Sequence, residues 1–318
     1  MAAHPPPRAE PPAGASHAHG EREQLWTGAE VTHWFVPASG GVWHCVTAGE
    51  PGRDAIVFLH GFPETGYAWH HQLTGLADAF YCVAIDLKGY GQSWCPPREE
   101  ADYDYAFCAT EYPALFDALG LERFNLVSHD RGAVIADHLC AVPGMAPRIR
   151  RYVRMQQSGN RPHSEPRPPH AFFASRPGAD FFAGGPLIDL AYGLRERGDG
   201  QPSLVSVPIA TPDVERMRRE IGRPGVAEDM SASFASAGFD RELADRKNGL
   251  FAAMTMPVLF LQGRLDPGQQ PHEYETVTRE VAQGHLAFVD AGHFLHLERP
   301  DAVTAAIRAF LVRTDLPA

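Results

Sequence analysis

The chain has 318 residues, 44% of them hydrophobic, with 28 Lys and Arg against 39 Asp and Glu, a formal charge of 28 − 39 = −11. That length gives a prior of about two domains, and one large domain carrying an insertion fits it equally well; the acidic balance argues against a nucleic-acid binder, which needs a basic surface. No run approaches the roughly 18 apolar residues of a membrane span and no N-terminal apolar run reads as a secretory signal, so a cytoplasmic protein without a membrane partner is expected.

Residues 1–24 hold five prolines, six alanines and three histidines (His4, His17, His19), with no Val, Ile, Leu or aromatic residue. Such a segment has nothing to bury against its ordering entropy and is expected to be disordered, its histidines solvated rather than metal-bound. From Val31 onward eight short β-rich runs follow, at 31–36, 42–47, 54–60, 81–86, 123–128, 149–155, 257–263 and 285–290. Several are continuously apolar, as in a sheet buried on both faces. Helix-length segments such as 102–119 and 300–313 separate them, which predicts a mostly parallel, eight-stranded sheet with helices on both faces. The interval after Ser158 is the exception, dense in Pro, Gly, Arg and Phe. It reads as an inserted, mainly helical cap over 158–250, leaving 25–157 and 251–318 as the core. The pairs Phe172-Phe173 and Phe181-Phe182 are expected in the cap core or lining an apolar pocket. Five cysteines, odd in number and without a C-x-x-C pair, read as reduced core residues.

The run FNLVS leads straight into His129, Asp130, Arg131 and Gly132 and then into the helical AVIADHL. Strand, sharp turn and helix, with small residues at Ser128 and Gly132 around a central Asp130, meet the steric demand of a nucleophile elbow. His60-Gly61-Phe62-Pro63 follows the third run, and Asp86-Leu87-Lys88-Gly89-Tyr90-Gly91-Gln92-Ser93 the fourth. Asp266 stands in GRLD after PVLFLQ, and His293 in GHF after the last run. With these features in this order the chain resembles the α/β-hydrolase superfamily, in the aspartate-nucleophile branch of epoxide hydrolases and haloalkane or haloacetate dehalogenases, over about residues 25–160 and 250–315. The resemblance implies an α/β-hydrolase fold with Asp130 as nucleophile, Asp266 as acid and His293 as base. It also implies an oxyanion hole from the backbone N–H groups of Phe62 and Arg131, and a structural role for the 86–93 loop.

A carboxylate with a reference pKa near 3.9 is ionised at neutral pH and needs no base to attack. It suits an sp³ carbon bearing a leaving group and yields an alkyl ester on Asp130, which a water activated by His293 would hydrolyse. Epoxide hydrolases usually aim two cap tyrosines at the epoxide oxygen. The cap interval here has one, Tyr192, with His163, His170 or Tyr152 as conceivable second donors. Haloalkane dehalogenases usually carry Trp directly after the nucleophile; here Arg131 stands there and all five tryptophans precede Asp130. The H-D-R-G run is similar to haloacetate dehalogenases, whose arginine binds the substrate carboxylate, although Val134 occupies the place of their second arginine. Arg131 is therefore expected to meet an anionic group of the substrate or an acidic residue near the elbow.

Phe62 and Trp69 are expected to line the substrate site, with Trp69, His70 and His71 starting a helix beside its mouth. No metal is expected, because helix neighbours point about 100° apart. Glu64, His296 and Glu298 read as structural. The reading is a cofactor-independent epoxide hydrolase acting on a small, largely apolar molecule. A haloacid dehalogenase, a non-hydrolytic isomerase or cyclase, and a ligand-binding homologue are its alternatives, and a homodimer stays open.

Overall fold

A computed structural model describes residues 5–97, 99–157, 168–183, 185–196, 202–236, 242 and 244–315. β1 (Arg22–Gln24) precedes the eight expected strands, β2 (Glu30–Ala38), β3 (Gly41–Ala48), β4 (Ala55–Leu59), β5 (Tyr81–Ile85), β6 (Phe124–His129), β7 (Ile149–Met155), β8 (Val258–Gly263) and β9 (Gly284–Val289). Among the described residues the sheet runs β1-β2-β3-β5-β4-β6-β7-β8-β9, nine strands rather than eight. β1, β2 and β3 meet their neighbours antiparallel, and every pairing from β5 to β9 is parallel. Every residue of β4, β6 and β8 is buried, which is why these strands read as unbroken apolar runs.

Around the sheet lie α1 (His70–Leu76), α2 (Tyr105–Ala118) and α3 (Arg131–Ala141). Between β7 and β8 come α4 (Pro168–Phe173), α5 (Arg176–Ala183), α6 (Pro186–Ala191), α7 (Thr211–Ile221) and α8 (Val226–Phe234), and α9 (Leu295–Glu298) and α10 (Pro300–Leu311) close the chain. The helices between β7 and β8 are fastened to the sheet side by buried polar contacts: Thr65 Oγ1 donates to Glu220, and Arg223 donates to the carbonyls of Gly91 and Ser93.

The N-terminal segment departs from the expected disorder. Over its described residues, 5–24, it lies along the outer edge of β2. The Gly20 N–H reaches the His33 carbonyl at 2.7 Å, the His33 N–H reaches the Glu21 carbonyl at 2.9 Å, and the Ala9 N–H reaches the Phe35 carbonyl at 2.9 Å. The ordering comes from polar groups, which a hydrophobicity argument does not count. Glu23 is gripped by Arg216 of α7 and faces His33, while Gln92 accepts from the Ser16 and His17 N–H groups. His17 stacks on His33 with centroids 3.7 Å apart.

Candidate active site

β6 ends at His129, and Asp130 follows at φ 47°, ψ −117°, a backbone conformation that a non-glycine residue holds at a cost of about 1–3 kcal/mol. The turn is this tight because α3 starts at once. A Cβ on Gly132 would stand 2.3 Å from the His60 carbonyl oxygen, and one on Gly61 would stand 2.5 Å from Asp130 Cβ. Glycine at both positions lets the two loops touch. The contact delivers the Phe62 N–H to Asp130 Oδ1 at 2.9 Å. The N–H of Arg131 belongs to the first residue of α3, where the helix itself offers no acceptor.

The other carboxylate oxygen, Oδ2, faces His293 Nε2 at 3.6 Å. On the far side of the ring, His293 Nδ1 lies 2.8 Å from Asp266 Oδ2, and Asp266 itself is fully buried. Burial alone would favour a neutral Asp130, but the facing His293 imidazole and the positive charge of Arg131 hold its carboxyl well below the usual range. For His293 burial works against the charged form, and Asp266 and Asp130 overcome it, raising the imidazole well above 6.5. The arrangement is an ionised carboxylate with one oxygen on a backbone donor and the other open toward an oriented imidazole.

Two buried carboxylates stiffen this frame. Asp86 accepts from the Gly66 N–H at 2.6 Å and the Gln92 N–H at 2.7 Å and lies 2.7 Å from His44 Nδ1, so the 86–93 loop is structural and supports the turn after Pro63. Glu64, fully buried, accepts from the Gly61 N–H at 3.2 Å and faces His129 Nδ1 and His296 Nε2, each at 2.9 Å. Burial would raise its carboxyl, but the two histidines hold it well below the normal range.

The structure brings Asp130, Asp266, His293 and the Phe62 N–H together and treats the remaining expected residues differently. The Phe62 ring meets Phe234 at 4.7 Å, Phe182 at 5.4 Å and Phe173 at 5.9 Å, an aromatic wall beside the nucleophile. Arg131 donates to Tyr105 Oη at 2.8 Å and lies 5.1 Å from the Phe234 centroid. Trp69, expected at the substrate site, is a core residue instead. It is fully buried in the 3-10 turn Gly66–Trp69, packed between Phe58 and His296. All four residues of that turn are buried, and Tyr67 within it donates its hydroxyl to Asp213 of α7. Tyr192 follows α6, edge-on to Phe294 at 5.1 Å, and its buried hydroxyl has no hydrogen-bond partner among the described residues. The charged groups acting on it are Glu64, then Asp213 and Glu220. Tyr152 is no free donor: its hydroxyl is engaged by Ser128 at 2.8 Å and Asp137 at 3.1 Å. His163 and the His170 side chain lie outside the described residues.

Sequence reasoning missed Gln156. At φ 43° just past β7, it donates from Nε2 to Asp266 Oδ2 at 2.6 Å, and its Oε1 accepts from the Gly263 N–H at 2.6 Å. Its one sequence signal was its position at the carboxyl end of a parallel strand, where sites of open α/β sheets gather.

The model of the alpha/beta hydrolase fold family matches residues 54–300. Epoxide hydrolase A of Mycobacterium tuberculosis (strain ATCC 25618 / H37Rv) is 31% identical over 337 residues, covering 90% of this chain and 98% of that one. A haloalkane dehalogenase of Mesorhizobium japonicum is 29% identical over 87% of this chain and 90% of its own. The match to epoxide hydrolase 4 of Mus musculus, 39% identical, is confined to 33% of this chain and 30% of that one. Among solved structures, Epoxide Hydrolase A from Mycobacterium thermoresistibile superposes with a TM-score of 0.70 at 26% identity over 90% of this chain and 99% of its own.

Proposed function

The chain belongs to the α/β-hydrolase fold family and to its epoxide-hydrolase-like branch, and on that premise we propose that it hydrolyses epoxides to vicinal diols through an ester on Asp130. The observation that carries the mechanism is the division of labour at Asp130, with Oδ1 on the Phe62 N–H at 2.9 Å and Oδ2 turned toward His293 at 3.6 Å. Oδ2 attacks an epoxide carbon, the C–O bond of the ring breaks, and the alkoxide takes a proton. Tyr192 is the proposed donor, supported by its buried hydroxyl without a partner among the described residues. A buried donor left unmade costs about 1–3 kcal/mol, a deficit that a substrate oxygen removes.

In the second half His293 takes a proton from water, the hydroxide adds to Cγ of the ester, and the charge collects on Oδ1, already placed on the Phe62 N–H. Collapse breaks the bond from Cγ to Oδ2 and expels the diol alkoxide, which recovers the proton from His293. The remaining proton of the water restores Tyr192, and Asp130 returns as a carboxylate holding the water oxygen. Asp266 keeps Nδ1 of the base protonated and Nε2 directed at the ester. The wall of Phe62, Phe173, Phe182 and Phe234 supports a largely apolar substrate.

The test is intact-mass analysis of a His293→Gln variant after exposure to an aryl epoxide, an alkyl epoxide and a haloacetate in separate reactions. A gain equal to the whole epoxide, mapped to Asp130, is the expected result. A gain equal to the acid minus its halide would replace this reading with a haloacid dehalogenase, and a folded variant that forms no adduct with any of them overturns it.

A further inference from the structure

Among the described residues, three groups of histidine and carboxylate side chains gather within metal-ligand reach of one another: His17 with Glu23 and His33, Glu64 with His129 and His296, and His70 with His71 and Asp213. In the first, Gln92 uses its carbonyl on the Ser16 and His17 N–H groups and so presents its NH₂ to His17 Nδ1 at 2.9 Å. That keeps the ring proton of His17 on Nε2, the atom facing Glu23. In the second, His129 is engaged at both nitrogens, by Glu64 and by the His293 carbonyl. The third group differs. His70 is fully buried, its Nδ1–H donates to the Tyr67 carbonyl at 3.1 Å, and its Nε2 has no hydrogen-bond partner among the described residues.

The position of that nitrogen is informative. Asp213 Oδ1 lies 3.2 Å from His70 Nε2, yet the pair does not qualify as a hydrogen bond, so the oxygen stands off the lone-pair direction. Two atoms ligating one first-row metal, each about 2.0–2.2 Å from it at angles of 90–110°, stand about 2.9–3.4 Å apart. His71 adds a third ligand: its ring centroid is 4.1 Å from that of His70, and the three ligand atoms lie within 4.8 Å of one another. Both rings turn toward Trp26, which sits 5.5 Å from His70 and 5.4 Å from His71. The 100° separation along the helix is thus closed by the side chains.

The surroundings suit a cation. A ligating histidine characteristically gives its other ring N–H to a carbonyl, as His70 does to Tyr67. Among the described residues the hydrogen-bond donors to Asp213 are neutral, the Trp26 indole at 3.0 Å and the Tyr67 hydroxyl at 3.2 Å.

We propose that His70, His71 and Asp213 form a binding site for a divalent transition metal of the zinc type, joining α1 of the core to α7 of the segment between β7 and β8. Two imidazoles and one carboxylate select zinc, cobalt, nickel or copper over magnesium and calcium, which prefer all-oxygen shells. Its ligands come from α1 and α7, so a bound ion would clamp the two layers.

The experiment uses the untagged full-length protein, stripped with chelator, and its Asp213→Asn and His71→Gln variants. The asparagine keeps an oxygen for Trp26 and Tyr67, and His71 is only partly buried, so both should fold. Equilibrium dialysis against zinc should give one metal per wild-type chain. Cobalt should produce the intense visible bands of a low-coordinate site, and metal-free hydrolysis by the His71→Gln variant should match the wild type. Each variant should bind zinc roughly tenfold or more weakly. Absence of zinc binding by the wild type, or wild-type binding by either variant, overturns the proposal.

Discussion

His129, the residue before the nucleophile, donates from Nε2 to the backbone carbonyl of His293 at 2.9 Å. The strand that presents Asp130 and the loop that presents the base are thereby joined beneath the site, and Glu64 anchors the joint by facing both His129 and His296 at 2.9 Å. Removing one partner of a buried charged group leaves the rest uncompensated. Glu64→Gln is expected to lower stability by about 3–5 kcal/mol, read from urea unfolding at pH 7. A loss under 1 kcal/mol would show that Glu64 forms no buried ion pair with these histidines.

The two half-reactions should respond differently to pH. Asp130 is held ionised far below neutrality, so its alkylation rate should be flat from pH 5 to 8. His293 is raised in the free protein partly by the negative charge of Asp130. Esterification removes that charge, so ester hydrolysis should titrate at a lower pH than His293 does in the unreacted protein. Stopped-flow single turnovers and NMR titration of the imidazole measure the two values, and equal values would refute the coupling.

Gln156→Asn retains a residue tolerant of positive φ but shortens the arm to Asp266. Losing one hydrogen bond to a charged group costs about 1.5–3 kcal/mol, or roughly 10–150-fold if it falls wholly on the transition state. The loss should appear in ester hydrolysis, with alkylation little changed. Equal slowing of both steps would assign Gln156 to folding alone.

Acid should unfold the protein in two stages. His33 and His70 have folded pKa values of about 4 and 3, lowered chiefly by burial, against 6.5 unfolded. Such groups favour the folded state fully above 6.5, and their contribution is lost as pH falls toward those folded values. Glu64, also lowered, adds a further loss below the unfolded carboxyl value of about 4.3. His293 is raised and works in the opposite sense, favouring the fold below 6.5. The urea midpoint should therefore drop between pH 6.5 and 4 and fall more steeply below 4.3, and a midpoint constant from 7 to 4 would contradict the histidine assignments.

Deleting residues 2–24 should destabilise the protein, because it leaves Arg216 and His33 without Glu23. The expected loss is about 1–3 kcal/mol, or roughly 2–8 °C in Tm by calorimetry, with Glu23→Gln producing part of it. An unchanged Tm would restore the picture of a solvated tail.

The eight strands were legible because alternating apolar runs and helix-length gaps leave few architectures open, and the elbow because Ser128, Asp130 and Gly132 satisfy a steric rule that sequence displays directly. What stayed hidden depended on contacts between distant segments. Trp69 reads as a pocket residue from its place after the turn, whereas its ring packs on Phe58 and His296, partners that only the folded chain brings to it. Gln156 looked like one polar residue among several after a strand. The order of the N-terminal segment is not legible in composition, because it arises from Arg216 and Gln92, 193 and 75 residues away from Glu23 and His17.

β2 is nine residues long and borders the sheet, and from Glu30 to Phe35 its outward backbone groups are taken by β1, Gly20, Glu21, Ala9 and the His19 ring. A bare strand of that length would be a template for another chain's backbone. The N-terminal segment ends the sheet with a three-residue strand that leaves little to copy, so it keeps neighbouring molecules from zipping together. A truncated protein would accordingly show its defect as concentration-dependent self-association before it showed any loss of chemistry.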